Sequence, residues 1–224
     1  MVLKLISGIM LGYLIGAIPI GLIVGKMARG VDIRDHGSGK MGSTNVLRTL
    51  GVKAGILVLL ADCGKGIAAV LLAGLIFGSG HVIAINDFDI SVNSARAVAG
   101  FAAVVGHTWP IYIGFKGGRG VSTYSAALFA LSPMYTLFPF ALAMVILASW
   151  RYVSLASLIG VAASVVVMAC LVALGKQPGG FLVYTVLGSA LVIFSHWDNI
   201  ARLRAGTERR LGEREPVSAS QAGG

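Results

Sequence analysis

The sequence predicts an all-α integral membrane protein with seven transmembrane helices, two of them short. Three observations lead to this fold class. The 224-residue chain is 56% hydrophobic and only 12% charged, and its mean hydropathy of +0.85 is too high for a water-soluble domain of this length. It contains several apolar windows close to the roughly 20 residues that a helix needs to cross a bilayer. Its basic residues are also divided unevenly between the loops on the two sides.

The apolar windows define the spans in chain order. Windows without Asp, Glu, Lys or Arg cover residues 5–25, 97–115, 120–150, 152–175 and 177–197, and the window 54–80 is interrupted only by Asp62 and Lys65. The first window ends before Lys26 and Arg29, which favours a retained span over a cleaved signal peptide. Residues 1–212 are predicted to form a single membrane-embedded domain, and residues 213–224 a disordered cytoplasmic tail.

The window 120–150 decides the number of spans. As one helix it would be about 46 Å long, and Ser132 and Pro133 in its middle favour a break into a hairpin of two short spans. Without the break, the two sides of the membrane carry 9 and 8 basic residues. With the break, one side carries only Lys4, Arg96 and Lys176, and Lys65 lies within a span. With the break, 14 of the 18 Lys and Arg residues fall on one side: Lys26, Arg29, Arg34, Lys40, Arg48, Lys53, Lys116, Arg119, Arg151, Arg202, Arg204, Arg209, Arg210 and Arg214. The positive-inside rule therefore selects seven spans, with the N-terminus outside and the C-terminus in the cytoplasm.

Four polar segments lie on the cytoplasmic side in this topology. They are "HGSGKMGSTNVLRTLG" from His36, "GHTWPIYIGFKGGRGVST" from Gly106, "WRYVSLAS" from Trp150 and "HWDNIARLRAGTERRLG" from His196. Loops gathered on one side of a multispan protein are able to build a single pocket at the membrane interface. The acidic loop with Asp87 and Asp89 is predicted to lie outside.

Two of these segments are glycine-rich and basic. Gly37, Gly39 and Gly42 form a literal GxGxxG, but no strand precedes it and no acidic residue follows at the expected distance, so a dinucleotide site is not predicted. Successive glycines and an "STN" helix start are instead suited to binding an anion. The second segment repeats this chemistry at 116–120. One such loop alone is as well explained as an ordinary turn, whereas two on one face suggest two phosphates beside an apolar chain.

Other polar residues have two interpretations each. His196 and Asn199 share a helix face and are candidates to contact a substrate, although an interfacial belt with Trp197 is the alternative. His107 with Trp109 favours such a belt. Asp62 and Lys65 are expected to pair with each other within a span, for either a structural or a functional reason. Neither a metal site nor a cofactor is predicted. The net charge of +9 is not taken to indicate nucleic-acid binding.

Taken together, the four segments resemble the signature motifs of the bacterial acyl-phosphate-dependent glycerol-3-phosphate acyltransferases. The motifs are "GSGKMGSTNVLR", "GHTWP" with "FKGGRGVST", "RYVSLAS" and "HWDNIARLRAGTERRLG", in order over nearly the whole chain. The resemblance implies a multi-pass enzyme of the bacterial cytoplasmic membrane whose glycine-rich cytoplasmic loops form the active site. It would transfer an acyl group from acyl phosphate to the 1-hydroxyl of sn-glycerol 3-phosphate, releasing lysophosphatidic acid and inorganic phosphate. It also implies functional coupling to an enzyme that produces acyl phosphate.

The resemblance assigns roles to matching residues. Lys40, Met41 and Ser43 depart from the family pattern. Catalytic roles are expected for Ser38, His196 and Asn199, with Ser38 as a hydrogen-bond donor in preference to a nucleophile, and with either His196 or the substrate phosphate as the base. Substrate or phosphate binding is expected for Gly37, Gly39, Gly42, Thr44, Asn45, Arg48, Lys116, Gly117, Gly118 and Ser154.

Two other classes of protein compete with this interpretation. A transporter or exchanger for a phosphorylated solute would use the basic loops as a vestibule, but no convincing internal repeat is present. A lipid-binding scaffold would explain the basic tail and leave the two glycine loops without a role.

Overall fold

A computed structural model describes residues 2–78, 81–85 and 88–213. Asp87, Arg214 and all of the predicted disordered tail except Glu213 lie outside the described residues. The helices are α1 (Val2–Ala17), α2 (Ile20–Arg29), α3 (Ser43–Leu50), α4 (Val52–Phe77), α5 (Val92–Thr108), α6 (Val121–Leu131), α7 (Pro133–Trp150), α8 (Val153–Ala173), α9 (Gly179–Ser195) and α10 (Trp197–Arg204).

The first predicted span is broken. α1 ends at Ala17 and α2 begins at Ile20, because Pro19 has no N–H to continue the helical ladder. The apolar stretch Leu3–Arg29 is nevertheless 27 residues long, which is enough to cross a membrane. The sequence prediction of one continuous helix over residues 5–25 therefore missed the break.

The predicted break at Ser132 and Pro133 is confirmed. α6 ends at Leu131, and Pro133 is the first residue of α7, a position where the missing N–H of proline costs nothing. Of the two spans predicted to be short, only α6, with 11 residues, is short. α7 has 18 residues and is long enough to span by itself.

Length and composition identify four candidate spans in the described part of the chain: Leu3–Arg29, Val52–Phe77, Pro133–Trp150 and Val153–Ala173. A fifth arises if α9 and α10, which meet at 62°, are counted together. α5 and α6 are shorter than these. The total of seven therefore remains a prediction that depends on how α5 and α6 sit in the bilayer.

The third predicted span is shifted along the chain. The window 97–115 predicted its end at Phe115, but α5 runs from Val92 to Thr108 and includes Arg96. It stops before Pro110, and a short 3₁₀ turn at Ile111–Ile113 leads into Gly114. The shift releases residues 109–120 as a loop.

The structure also contains a small β-hairpin that the all-α prediction did not include. His81–Ile85 (β1) pairs with Phe88–Ser91 (β2) in antiparallel fashion, with His81 opposite Ser91 and Ile85 opposite Phe88. The hairpin joins α4 to α5 and lies at the opposite end of these helices from the two glycine-rich loops.

The helices pack closely where glycines face backbone. Cβ atoms on Gly12 and Gly16 of α1 would overlap the carbonyl oxygens of Ala99 and Ala103 on α5. Tyr124 of α6 stacks on Tyr184 of α9 with ring centroids 5.4 Å apart. The Tyr124 hydroxyl also hydrogen-bonds with Ser164 (2.6 Å) and Ser189 (3.0 Å), which joins α6, α8 and α9. This rigid core places the ends of α3, α5, α6, α8 and α9 around one polar region.

Candidate active site

A cavity of about 490 Å³ lies among α3, α4, α6, α7 and α8. Its polar end contains eight of the residues that the sequence assigned to the site: Ser38, Gly42, Thr44, Asn45, Arg48, Ser154, His196 and Asn199. A smaller cavity of about 360 Å³ contains Gly39, Lys116, Gly117 and Gly118. Lys40 lines both cavities, whereas Gly37 lines neither. The expected site residues are thus divided between two adjoining spaces.

The other end of the larger cavity is apolar and reaches the outer surface of the protein. Ile56 and Leu59 of α4 are 48% and 40% exposed, and Phe140 and Met144 of α7 are 55% and 41% exposed. All four also line the cavity. In a bilayer these faces would contact lipid, so an apolar chain would be able to enter sideways between α4 and α7.

Asn45 organises the first glycine-rich loop. Its side-chain amide donates to the carbonyl oxygens of Ile33 (3.0 Å), His36 (3.0 Å) and Lys40 (2.8 Å), and its Oδ1 accepts from the Ser38 N–H at 2.9 Å. The residue is only 3% exposed. Asn45 therefore acts on the loop itself, and it holds Ser38 and Lys40 at the mouth of the cavity.

The beginning of α3 completes this loop. Asn45 N–H is bonded to the Gly42 carbonyl at 3.0 Å, so the N–H groups of Ser43 and Thr44 precede the helical ladder. Both residues line the larger cavity. The helix start therefore directs N–H groups and the positive end of its dipole toward that space.

The second glycine-rich loop is held differently. The N–H groups of Gly117 and Gly118 donate to the carbonyl oxygens of Thr108 (3.2 Å) and His107 (3.0 Å) at the end of α5. A Cβ on Gly118 would overlap the His107 imidazole, and one on Gly117 would overlap the His107 carbonyl oxygen. These glycines thus allow close packing, and the loop offers its flanking cations to an anion. Lys116 is exposed at the smaller cavity.

Arg119 is a site residue that the sequence assignment omitted. It lines the larger cavity, and its buried Nε has no hydrogen-bond partner among the described residues. Desolvation by burial and the nearby charge of Arg202 lower the pKa of its guanidinium, which nevertheless stays charged at neutral pH. Its position beside two glycines and Lys116 in "KGGRG" was the available signal.

Glu208 is the second omission. One carboxylate oxygen accepts from Ser154 Oγ (2.8 Å) and Asn199 Nδ2 (2.6 Å), and the other accepts from Arg202 Nε (2.8 Å). Burial opposes its ionisation, but the hydrogen bonds from Asn199, Ser154 and Arg202 bring the pKa of Glu208 below its ordinary value. A single acid within the basic segment "RLRAGTERR" was the sequence signal. Ser154 and Asn199 therefore reach the cavity as parts of a carboxylate-centred network.

His196 makes a hydrogen bond through one ring nitrogen within the described part of the chain. Its Nδ1 lies 2.7 Å from the Val192 carbonyl oxygen, a contact that requires Nδ1 to carry the proton in the neutral ring and leaves Nε2 as a lone-pair acceptor. His196 and Asn199 are 3% and 5% exposed, whereas Trp197 between them is 71% exposed. The two residues share an inward face, and Trp197 points outward. His107, for which a surface belt was expected, is buried at 3% exposure.

Residues 6–206 match the family model described as "Glycerol-3-phosphate acyltransferase". The chain belongs to the glycerol-3-phosphate acyltransferase family. It is 39% identical over 214 residues to glycerol-3-phosphate acyltransferase 3 of Dehalococcoides mccartyi, with 96% of this chain and 99% of that protein covered. It is 42% identical to the glycerol-3-phosphate acyltransferase of Geotalea daltonii, with 88% and 92% covered.

Two solved structures resemble the acyltransferase over most of its length. They are crystal structures of PlsY (YgiH), an integral membrane glycerol 3-phosphate acyltransferase, in the glycerol 3-phosphate form (TM-score 0.79) and the lysophosphatidic acid form (TM-score 0.77). Both are 36% identical to this chain and cover 93% of it, and the chain covers 96% and 95% of them. The predicted family is therefore confirmed.

Proposed function

We propose that the protein transfers an acyl group from acyl phosphate to the 1-hydroxyl of sn-glycerol 3-phosphate, forming lysophosphatidic acid and inorganic phosphate. The observation that carries the proposal is the larger cavity, which joins a cationic, hydroxyl-rich end to an apolar end that reaches the lipid-facing surface. An acyl phosphate has the same two parts. The motif resemblance implies acyl phosphate as the donor.

In the proposed reaction, the hydroxyl oxygen of glycerol 3-phosphate attacks the acyl carbonyl carbon. A new ester bond forms, the bond between that carbon and the phosphate oxygen breaks, and the phosphate leaves with the bonding electrons. The proton of the hydroxyl passes to a base and then to the released phosphate. His196 Nε2 has the free lone pair that a base needs, and the substrate phosphate is the alternative.

The cations at the cavity would neutralise the two substrates. Arg48, Arg119 and Lys40 line the polar end of the larger cavity, and Lys116 lines the smaller one with Lys40. Charge-assisted hydrogen bonds to phosphate are stronger than neutral ones. Positioning and charge stabilisation would therefore supply most of the catalysis, because acyl phosphate is already activated.

Ser38 fits a hydrogen-bond donor better than a nucleophile in this scheme. Its backbone is held by Asn45, and no hydrogen bond joins its hydroxyl to a histidine within residues 2–78, 81–85 and 88–213. An unactivated serine hydroxyl is a weak nucleophile. Asn199 and Ser154 would act through Glu208, with Asn199 Oδ1, which is buried and without a hydrogen-bond partner in the described part of the chain, available to a substrate hydroxyl.

We place the reaction at the cytoplasmic side of the bacterial cytoplasmic membrane, with the N-terminus outside. The basis is the clustering of cationic residues at the end of the bundle that carries the two glycine-rich loops. Supply of a lipid-soluble acyl phosphate would couple the protein to an enzyme that makes this donor.

The experiment that tests the proposal measures phosphate release by the purified, detergent-solubilised protein. Palmitoyl phosphate is supplied with and without sn-glycerol 3-phosphate, and palmitoyl-CoA replaces it in a control. We expect release to require both substrates, lysophosphatidic acid to form, and palmitoyl-CoA to give no product. A folded sample without turnover, combined with uptake of radiolabelled glycerol phosphate into vesicles, would show transport instead.

A further inference from the structure

Three ionisable side chains meet inside the helix bundle, below the second glycine-rich loop. Asp62, Lys65 and His107 are 1%, 5% and 3% exposed. Asp62 Oδ1 lies 2.7 Å from Lys65 Nζ and 3.4 Å from His107 Nδ1. The expected pairing of Asp62 with Lys65 is thus confirmed, and His107 is its unexpected third member. Removing ionisable groups from water costs free energy, so the presence of this cluster calls for a physical explanation beyond packing.

The cluster connects four helical elements. Lys65 Nζ donates to the Ile18 carbonyl oxygen at 3.3 Å, in the break between α1 and α2. The Asp62 carbonyl oxygen accepts from Thr123 Oγ1 at 3.1 Å, at the beginning of α6. Asp62 and Lys65 belong to α4, and His107 lies in the last turn of α5. The cluster therefore contacts the end of α5 through His107 and, through the Asp62 main-chain carbonyl, the beginning of α6; these are the two ends of the loop that contains residues 116–120.

His107 transmits this arrangement to the loop. Its carbonyl oxygen accepts from Gly118 N–H at 3.0 Å, and its ring lies so close to Gly118 that a Cβ there would overlap Nε2. Gly118 lies between the two cations of the loop, Lys116 and Arg119. A rotation of the His107 ring would therefore displace the backbone that carries both cations.

Asp62 is the charged group that the ring faces. His107 Nδ1 is buried and lies 3.4 Å from Asp62 Oδ1; the two atoms do not meet hydrogen-bond geometry, so electrostatic attraction and packing orient the ring. Asp62 Oδ1 is shared with Lys65, so Lys65 holds the carboxylate in turn. Asp62 and His107 also line the larger cavity, as does Arg119.

We propose that Asp62, Lys65 and His107 form a buried positioning unit that fixes the loop 116–120 for binding of the glycerol phosphate. The proposal rests on the proposed function for the identity of that ligand. None of the three residues is a catalytic residue in this scheme. They act on substrate through the loop, so their loss weakens binding of glycerol 3-phosphate more than binding of the acyl donor.

The test compares Asp62→Asn, His107→Gln and the double variant Asp62→Asn with Lys65→Met. Each single variant changes one member of the cluster, and Asp62→Asn leaves Lys65 as a buried charge without its partner, whereas the double variant removes both charges with little change in volume. Ser189→Ala is the matched control, because it removes a buried hydrogen-bonding group of the core that is remote from the loop.

We expect the double variant and His107→Gln to fold and to raise the KM for sn-glycerol 3-phosphate about tenfold. The kcat and the KM for palmitoyl phosphate should change less than the KM for sn-glycerol 3-phosphate, although Asp62 and His107 also line the larger cavity. Ser189→Ala should lower the melting temperature without changing either KM. An unchanged KM for sn-glycerol 3-phosphate in both variants would overturn the proposal, as would equal losses in every kinetic constant.

A second readout is independent of turnover. Hydrogen exchange of the Gly117 and Gly118 amides, which are bonded to Thr108 and His107, should accelerate about tenfold in the double variant and in His107→Gln, and should not change in Ser189→Ala. Unchanged exchange would refute a positioning role. If the native protein fails to acylate glycerol phosphate while exchange of the Gly117 and Gly118 amides still accelerates in the variants, the proposed function is wrong and the positioning role is supported.

Discussion

The two glycine-rich loops have similar compositions, but different groups hold them in place. The first loop is organised by one side chain, the Asn45 amide, and it leads into a helix start that faces the larger cavity. The second loop is organised by backbone, since its glycine N–H groups are bonded to the end of α5. In the first loop the N–H groups of Ser43 and Thr44 precede the helical ladder at the larger cavity, whereas in the second loop the side chains of Lys116 and Arg119 provide the positive charge.

This difference shows that glycine serves two purposes in one protein. Gly39 has a φ of 68°, a left-handed conformation that favours glycine in the first loop. Gly118 is required because there is no room for a side chain beside His107. Substitutions in the two loops should therefore act for different physical reasons and with effects of different size.

Gly118→Ala should have the largest effect. A Cβ at this position would overlap the His107 ring, so either the loop or the end of α5 must move. We expect activity to fall more than about 100-fold, with a loss of about 1–3 kcal/mol in stability, which is typical of overpacked buried sites. Gly64→Ala on α4 is the control, because no atom beyond its chain neighbours and its own helix backbone lies within 4 Å of the added Cβ. Equal behaviour of the two variants would contradict the close-packing explanation.

Asn45→Ala should be the most damaging change in the first loop. It removes the partner of three carbonyl oxygens and one N–H group, and each buried group left unsatisfied costs about 1–3 kcal/mol. We expect a melting temperature lowered by more than about 5 °C and activity reduced about 30-fold or more. Asn45→Asp keeps the acceptor for Ser38 N–H but loses the donors. If Asp restored full activity, the donor contacts would not matter.

Lys116→Ala should weaken binding without affecting stability. Lys116 is exposed at the smaller cavity, and a lost charge-assisted contact of about 1.5 kcal/mol corresponds to a roughly tenfold increase in the KM for sn-glycerol 3-phosphate. Steady-state kinetics and thermal unfolding measure the two quantities. Lys176→Ala, an exposed lysine after α8, should change neither. Unaltered saturation by glycerol phosphate in Lys116→Ala would remove Lys116 from the site.

The smallest expected effect is on the pH dependence of stability, and it arises from Glu208, which lies in neither loop. Because hydrogen bonds from Asn199, Ser154 and Arg202 lower the pKa of Glu208 in the folded protein, its contribution to stability is present above the unfolded pKa. That contribution is lost as the pH falls through the folded value. The melting temperature of Glu208→Gln should thus lie a few degrees below that of the native protein at pH 7 and converge with it in strongly acidic buffer. A constant difference across pH would show that ionisation of Glu208 is irrelevant.

Local features of the sequence were sufficient for much of the fold. Pro133 marked the end of α6 because proline cannot continue a helical ladder, and it did so correctly. Pro19 carried the same signal, but it lies in a longer apolar stretch and its break was overlooked. The end of α5 at Thr108 was also missed, since apolar residues continue to Phe115 and only Pro110 and Gly114 indicate a loop.

The sequence by itself determined the membrane class, the family and eight of the residues that line the larger cavity, because hydropathy, proline and motif order are properties of the chain. The tertiary structure decided what each polar group does. Ser154 meets Glu208 across 54 residues and Asn45 turns its amide onto its own loop, so these contacts give both residues structural roles that their motifs alone did not indicate. Arg119 and the Asp62–His107 contact emerged in the same way. Hydrogen-bond partners depend on distances through space, which local spacing does not contain.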